Sequence, residues 1–486
     1  MTKRLGFRLL VVFSLAWAAW AVWAMSGGTA PVTVNVIDDT GRPVVGAELT
    51  SGSAVLGVTG ADGSTVVQWH DGISSIAVVA PGFEEREIPL LDRPDGAIDA
   101  VVRAALLRGR IVDPELMPVA GAYVTAEAGT AVTDLEGRFS VRNAEPGAVQ
   151  IWRPAWEGST FAWNGDPGEA TVTIRPETMK AVHVGGEAAE NWAAFVNLAQ
   201  ETELNSLMLD LKDESGVVFF DTTSPIAHAV GAVHPRYDLP QLVTVAEAAD
   251  LYLIGRVVSF LDPIAAITAP GMAVWDLNTA APYHDGEQYF LDPTDPQAQA
   301  YALELAVEAC GAGVHEIQFD YVRYPDNRPQ TVRFDGGAWP AIRVETIRDF
   351  LATAVAQLHP LGCAVAADIF GFLTKASDDG GIGQHWEDMT SVVDVASPML
   401  YPSHYDSGWY GFERPSDHPA ELVGRALDDG LDRLARQIVV RPWLQDFAYT
   451  PAQVRAQIDE ADERGLGWML WNAASVVSVD ALEREP

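Results

Sequence analysis

The spacing of apolar and polar positions divides the chain into three kinds of text. From Leu9 to Met25 no residue is charged, Trp17, Trp20 and Trp23 spread over different faces of a helical wheel, and Lys3, Arg4 and Arg8 come before the run. Basic residues ahead of such a run keep the start in the cytoplasm and send the downstream chain across a membrane. The run lies between a signal-peptide core and the shortest spanning helix in length. Val22-Trp23-Ala24 offers a small-residue cleavage site. Residues 1–30 are therefore expected to be a membrane anchor or a removed signal peptide. The bulk is then extracytoplasmic on a single-pass membrane protein, or secreted.

After Gly27-Gly28 the pattern becomes short alternating runs broken by Gly, Pro and Asp, which predicts an all-β region. One phrase occurs twice. Ile37-Asp38-Asp39-Thr40-Gly41-Arg42-Pro43-Val44-Val45-Gly46-Ala47 is echoed by Ile111-Val112-Asp113 and Pro118-Val119-Ala120-Gly121-Ala122. Thr59-Gly60-Ala61-Asp62-Gly63 is echoed by Thr133-Asp134-Leu135-Glu136-Gly137. A repeat of roughly 75 residues is too long for a solenoid unit and predicts two small domains, 31–105 and 106–178. Both phrases resemble the opening and later motif of the carboxypeptidase-regulatory-like, transthyretin-like β-sandwich, with Gly60 in the first copy where that family has Asp. The resemblance implies two spacer modules, with sugar or protein binding as the alternative.

From about Met179 the chain alternates strand and helix patterns. Strands are expected at Ala181–Val184, Leu207–Leu211, Leu251–Val258, Glu316–Asp320, Ala364–Ile369, Val395–Tyr401, Ile438–Gln445 and Gly467–Trp471. Helices are expected at Glu187–Gln200, Pro296–Cys310, Trp339–Leu358, Ala420–Leu434 and Pro451–Arg464. Eight strands with crossovers over residues 179–486 predict a (β/α)₈ TIM barrel. A doubly wound open sheet is the alternative, although no glycine fingerprint follows the first strand.

In such a barrel chemistry sits at the carboxyl ends of the strands. Those ends carry Asp210 and Lys212 (strand two), Arg256 (three), Gln318, Asp320 and Arg323 (four), Asp368 (five), Tyr401 and His404 (six), Arg441, Trp443, Gln445 and Asp446 (seven) and Trp471 (eight). Carboxylates, a few cations and many aromatics at one mouth suit glycoside hydrolysis, in which one acid protonates the leaving oxygen and a second carboxylate attacks or activates water. Glu316 and Asp320 lie on one strand about 13 Å apart at ~3.3 Å per residue, too far for such a pair. Glu316 is expected inside the barrel, against Arg256 or Lys212. Asp320 is expected as nucleophile or base and Asp368 as general acid, with Asp446 a third catalytic carboxylate and Asp210 a stabiliser or substitute.

The remaining strand-end residues are candidate substrate contacts. Lys212 could orient substrate or neutralise a carboxylate, and His404 could bind a hydroxyl or make a structural hydrogen bond. Trp275, Trp386 and Tyr324 are expected as sugar platforms, Trp443 and Trp471 as a floor, and Gly380-Gly381-Ile382-Gly383 as a flexible lip. No metal and no cofactor are expected.

The segments Asn205–Gly216, Gly255–Pro263, Glu316–Pro325, Ser397–Tyr405 and Arg441–Phe447 resemble, in order, a family of glycoside-hydrolase-like barrels long catalogued as a domain of unknown function. That resemblance implies a barrel over roughly 180–475 acting on glycosidic bonds. The carboxylates ending strands four, five and seven are also similar to the alpha-amylase-like arrangement. Asp320 falls there in the nucleophile position, and Asp368 stands where that arrangement has Glu.

Charge narrows the partners. The 486 residues carry 67 acidic and 31 basic side chains, a formal charge of −36, which argues against nucleic acid as a partner. The expected partner is a cell-envelope or extracellular polysaccharide. A barrel that only binds carbohydrate or scaffolds the envelope is the rival reading. Export would permit Cys310 and Cys363 to pair, and two buried free thiols are the alternative.

Overall fold

The computed structural model describes residues 29–326 and 328–484. The apolar run at Leu9–Met25, and with it the anchor or signal peptide expected over residues 1–30, lies outside the described residues. Among the described residues no helix is long and apolar enough to cross a membrane. Two compact units are present: one runs to Trp152 and includes Gly158–Ile174, and the other takes Arg153–Glu157 and everything from Arg175.

The first unit repeats one strand order. Ala30–Asp38 lies between Ser64–Trp69 and Ile98–Val102, and Leu106–Val112 lies in the same way between Arg138–Arg142 and Glu169–Thr173. Each trio is matched by a four-stranded sheet, in the order Ala54–Val58, Glu48–Ser51, Ser75–Val79, Arg86–Pro89 for the first copy. The second copy runs Gly129–Val132, Tyr123–Ala126, Gly147–Trp152, Ser159–Trp163. In the first copy Val34, Val36 and Val67 of one sheet and Leu49, Ile76 and Val78 of the other share one buried cluster.

The repeated phrases have matching structural roles. Thr59 Oγ1 donates to the Val44 carbonyl at 2.7 Å and accepts the Ala47 N–H at 2.8 Å. Thr133 does the same with Val119 and Ala122, at 2.8 and 2.9 Å. Gly63 and Gly137 both have φ +73°, and a Cβ there would sit 2.7 Å from Val36 O and 2.4 Å from Ile111 O. Only glycine suits both the left-handed turn and the close approach.

The second unit is a closed barrel of eight parallel strands. They are Lys180–Val184, Ser206–Lys212, Tyr252–Val258, Glu316–Asp320, Ala364–Phe370, Val395–Leu400, a seventh in two pieces (Val439–Val440 and Trp443–Gln445), and Trp468–Trp471. Each pairs with the next, and the last pairs with the first through Lys180↔Trp468, so the sheet has no edge and the open alternative does not hold. Pro442, which has no N–H to give the ladder, marks the break in the seventh strand.

The expected helices appear with small shifts, as Trp192–Glu201 (after a short 3₁₀ turn), Pro296–Gly311, Pro340–Leu358, Pro419–Asp432 and Pro451–Asp462. Proline, with no N–H to waste, begins four of these five. Pro225–Val230, Leu239–Ala248, Pro263–Thr268 and Trp386–Thr390 were not anticipated. Cys310 and Cys363 form a disulfide, Cα–Cα 5.9 Å, joining the end of the helix before strand four to the residue before strand five.

Inside the barrel the polar residues fall into two groups. Near the amino ends Glu316 is paired with Arg441 and accepts the Tyr252 hydroxyl at 3.2 Å. This replaces the expected pairing of Glu316 with Arg256 or Lys212, because barrel closure brings strand seven across from strand four. Ala181, Met208, Ile254 and Met469 fill the next level. The second polar group lies above that apolar plug, at the carboxyl ends.

Candidate active site

Asp320 is the last residue of strand four, and Phe319 just before it pairs with Ala367 just before Asp368. The two carboxyl groups therefore stand side by side on neighbouring strands, whose spacing is ~4.8 Å. Both line a cleft of about 670 Å³ at the barrel mouth.

The environments of the two differ. Arg256 donates through Nε to Asp320 Oδ2 at 3.0 Å, through NH1 to Asp210 Oδ1 at 2.9 Å, and through NH2 to Glu214 and Asp320. Burial alone would lower the Arg256 pKa, but Glu214, Asp320 and Asp210 together hold it well above the usual guanidinium range. The second oxygen of Asp320 accepts the Tyr321 N–H at 2.6 Å, and Tyr321 has φ 45°. This left-handed conformation redirects the chain just beyond that bond, at the strand end.

Asp368 is 1% exposed and makes no ion pair among the described residues, Arg256 acting on it only as a more distant charge. Its Oδ1 accepts the Trp443 indole N–H at 2.6 Å and a bond from Gln318, while Oδ2 has no partner among the described residues. Burial first, and the Asp320 charge second, raise its pKa well above the ordinary carboxylate value. Gln384, in the loop after strand five, accepts the Phe370 N–H and donates to the Asp368 carbonyl at 2.8 Å, bracing this backbone.

Asp210 supports the pair from below. Burial pushes its pKa up, but His183 at 3.0 Å and Arg256 outweigh burial and hold it below the usual range. His183 is stacked on Trp471, with centroids 4.2 Å apart, and Trp471 meets Trp443 edge-on at 5.4 Å. Trp443 and Trp471 both line the cleft, where a floor was expected. Tyr401 and His404 line it too. Burial and then Asp368 and Asp320 raise the Tyr401 pKa, whereas burial lowers that of His404. Arg323 faces the cleft between the rings of Tyr321 and Phe370, each 4.9 Å from its guanidinium carbon, and pairs with Asp326 at 3.0 Å.

Several expected contacts lie elsewhere. Lys212 is buried outside the cleft, 3.0 Å from Asp262 Oδ2 and 5.5 Å from the Tyr301 ring centroid. The strand register slips between Asp210 and Lys212, skipping Leu211, so the two no longer share a face. Arg441 sits with Glu316 below the apolar plug. Gln318 and Gln445 are fully buried braces, Gln445 accepting the Ser403 N–H and donating to Phe447 O. Asp446 does not line the cleft. It accepts the Ser478 N–H at 2.9 Å, and burial raises its pKa.

Of the expected platforms, Trp386 and Tyr324 are wholly buried, their polar atoms bonded to Gly430 O and Thr346. Trp275 stands on a small hairpin away from the cleft. The glycine loop does contribute Gly380 and Ile382 to the cleft, but it is pinned. Asp379 is held by Arg343 at 2.7 and 2.8 Å and accepts the Gly383 N–H.

The cleft also holds residues that sequence reasoning missed. Phe370, Phe372, Tyr405 and Trp409 build one aromatic wall, Phe372 and Trp409 with centroids 6.3 Å apart. Phe370 ends strand five, one residue past its expected end, and the others sit in short turns and loops, where no periodicity marks them. Glu214 lies just past the strand-two carboxylate and lines both this cleft and an adjoining one of about 1100 Å³, which also shares Trp471. Its signal was available, as a carboxylate just beyond a strand's carboxyl end. Among the described residues no cluster of His, Cys, Asp and Glu is arranged to hold a metal ion.

Residues 181–476 match the model of the family described as "Putative glycosyl hydrolase domain". No curated protein matches the chain. Among solved structures the chain is similar to a hypothetical protein from Ruminiclostridium thermocellum ATCC 27405, at 30% identity over 38% of this chain and 96% of that one, TM-score 0.35. It is also similar to the glycoside hydrolase domain of PgaB (BpsB) from Bordetella bronchiseptica, at 14% identity over 61% and 95%, TM-score 0.47. A third is the glycoside hydrolase domain of PelA from Pseudomonas aeruginosa, at 11% identity over 62% and 96%, TM-score 0.38. The family match runs from the first barrel strand past the last, so the chain belongs to the family of that description, with residues 181–476 as the part that carries the membership.

Proposed function

We propose that the barrel hydrolyses glycosidic bonds of a cell-envelope or extracellular polysaccharide, with Asp320 as nucleophile and Asp368 as general acid. The observation that carries this reading is the opposed environment of two neighbouring carboxyl groups. One is ion-paired to Arg256, and the other is buried with its pKa driven up and one oxygen free. Environments that separate the pKa values of two such groups assign acid and base roles.

In the first step the Asp368 proton passes to the glycosidic oxygen as the bond from that oxygen to the anomeric carbon breaks. Asp320 forms a bond to the same carbon. Water then attacks this ester and gives its proton to Asp368, releasing Asp320. Strand-neighbour spacing favours this retaining course, which needs carboxyl groups ~5–5.5 Å apart, over inversion, which needs ~6.5–9.5 Å.

The two repeats of the first unit are proposed as carboxypeptidase-regulatory-like sandwich spacers, carried on an exported and membrane-tethered chain. The matched sheet orders of the two copies support the first point. The Cys310–Cys363 disulfide supports export, since such bonds persist in oxidising compartments. The deciding experiment screens purified protein against a panel of envelope and extracellular glycans. Turnover with retained anomeric configuration is expected, and Asp320→Asn abolishes it. Glycan binding with no turnover by the wild type would make the barrel a binding module instead.

A further inference from the structure

The cleft wall carries the carboxylates of Glu214, Asp320, Asp326 and Asp406 beside the acid Asp368, against Arg323 as its one lysine or arginine. Arg323 is already engaged by Asp326. Arg256, behind the wall, is a single positive charge shared by Asp210, Glu214 and Asp320. Asp406 is exposed, and its carboxylate makes no hydrogen bond or ion pair among the described residues. The adjoining cleft adds Asp213 and Glu187 against Arg236, which is itself paired to Glu187.

An acidic surface alone would identify no ligand. Here, however, the carboxylates line a cleft whose wall also includes Asp368, 1% exposed, with a buried Oδ2 that has no partner among the described residues. A low-dielectric concavity lined by one sign of charge concentrates the opposite sign. A uronate, sulfated or phosphate-bearing chain would meet more carboxylates than Arg256 and Arg323 can balance. A neutral glycan would find the aromatic wall but leave the carboxylates unanswered. Ammonium groups along a sugar chain would answer both.

We propose that the substrate of this site is a cationic glycan, a chain of amino sugars whose amines are free rather than N-acetylated, bound through Glu214 and Asp406. The proposal rests on the hydrolase reading for the word substrate, but its test is one of binding. Glu214 stands where the two clefts meet and Asp406 on the loop after strand six, so the pair would engage sugars at separate positions along the chain.

Binding is measured by calorimetry on Asp320→Asn, so that turnover plays no part. The ligands are chitosan oligomers, the same oligomers fully N-acetylated, and aminated, neutral and carboxymethyl dextran of one length. The amine forms are expected to bind at least tenfold more tightly than their neutral counterparts on one backbone or both, and carboxymethyl dextran least. Glu214→Gln and Asp406→Asn should each remove most of that preference, and added salt should weaken it. Glu84→Gln with Glu85→Gln, exposed in the first unit, should leave it intact and so exclude a general attraction to an acidic protein. Equal affinity for amine and N-acetylated forms, a preference insensitive to both cleft variants, or no binding of an amine form on either backbone overturns the proposal. Amine-dependent binding without any turnover by the wild type would uphold it while the hydrolase reading fails.

Discussion

Trp443 donates its indole N–H to Asp368 Oδ1 at 2.6 Å, while Oδ2 of the same carboxyl has no partner among the described residues. One oxygen is thereby fixed and the other is left unpaired on a residue that lines the cleft, the arrangement a general acid requires before substrate arrives. Replacing the donor tests this directly. Trp443→Phe keeps the ring and removes the N–H, so it should lower kcat about 10- to 100-fold with little change in KM, because acid–base catalysis is worth roughly 10²–10⁴-fold in total. Steady-state kinetics on any turned-over glycan checks it. An effect confined to KM would make Trp443 a substrate platform only.

The raised pKa of Asp368 has a pH signature. The acid works only when protonated, so kcat/KM should fall as pH rises through its folded value. Stability follows the same sign. A carboxyl whose folded pKa lies above the unfolded ~3.9 contributes most when protonated, and loses that contribution as pH climbs from there through the folded value. Asp368→Asn stays neutral and keeps its shape. It should match the wild type in Tm near pH 4 and exceed it increasingly toward pH 8. A constant Tm difference across that range would contradict the assignment.

Arg256 is the one cation held by Asp210, Glu214 and Asp320, and it is fully buried. Arg256→Met would leave buried carboxylates without their partner, a loss of about 3–5 kcal/mol. Arg256→Lys keeps the charge but not the fork that reaches three carboxylates. Its stability should be intermediate and its kcat reduced, as the fork that holds Asp320 is lost. Urea denaturation and steady-state kinetics separate the two effects.

The Cys310–Cys363 bond closes a span of 53 residues around strand four. Cys310→Ser with Cys363→Ser should cost about 4 kcal/mol by the loop-closure relation, read as a lower urea midpoint. Turnover at 25 °C should be unchanged, since neither cysteine lines the cleft. Loss of activity without loss of stability would place the bond in the function of the site.

The barrel was legible because buried parallel strands must be apolar and of nearly fixed length. Crossover helices beginning at Pro296, Pro340, Pro419 and Pro451 also punctuate the text. The placement of Asp320 and Asp368 side by side followed from the same regularity, the first ending its strand and the second lying two residues before the end of its own. The repeat motif in residues 31–178 was legible because its threonines and glycines answer to local backbone geometry, as Thr59, Thr133, Gly63 and Gly137 do.

What depended on the closed barrel was not legible. Alternation tells which residues share a face only while the register is unbroken, and the slip between Asp210 and Lys212 turned Lys212 toward Asp262. Partners from distant strands appear only when the sheet closes, which set Arg441 against Glu316 and left Arg256 to three carboxylates of the mouth. Cys310 and Cys363, and the aromatic wall from Phe370 to Trp409, are likewise products of where loops land. Local sequence thus determined the strands, the helices and the residues at each strand's end. Their facing, pairing and charge balance were decided by tertiary closure, because burial and Coulomb energy depend on neighbours that are remote along the chain.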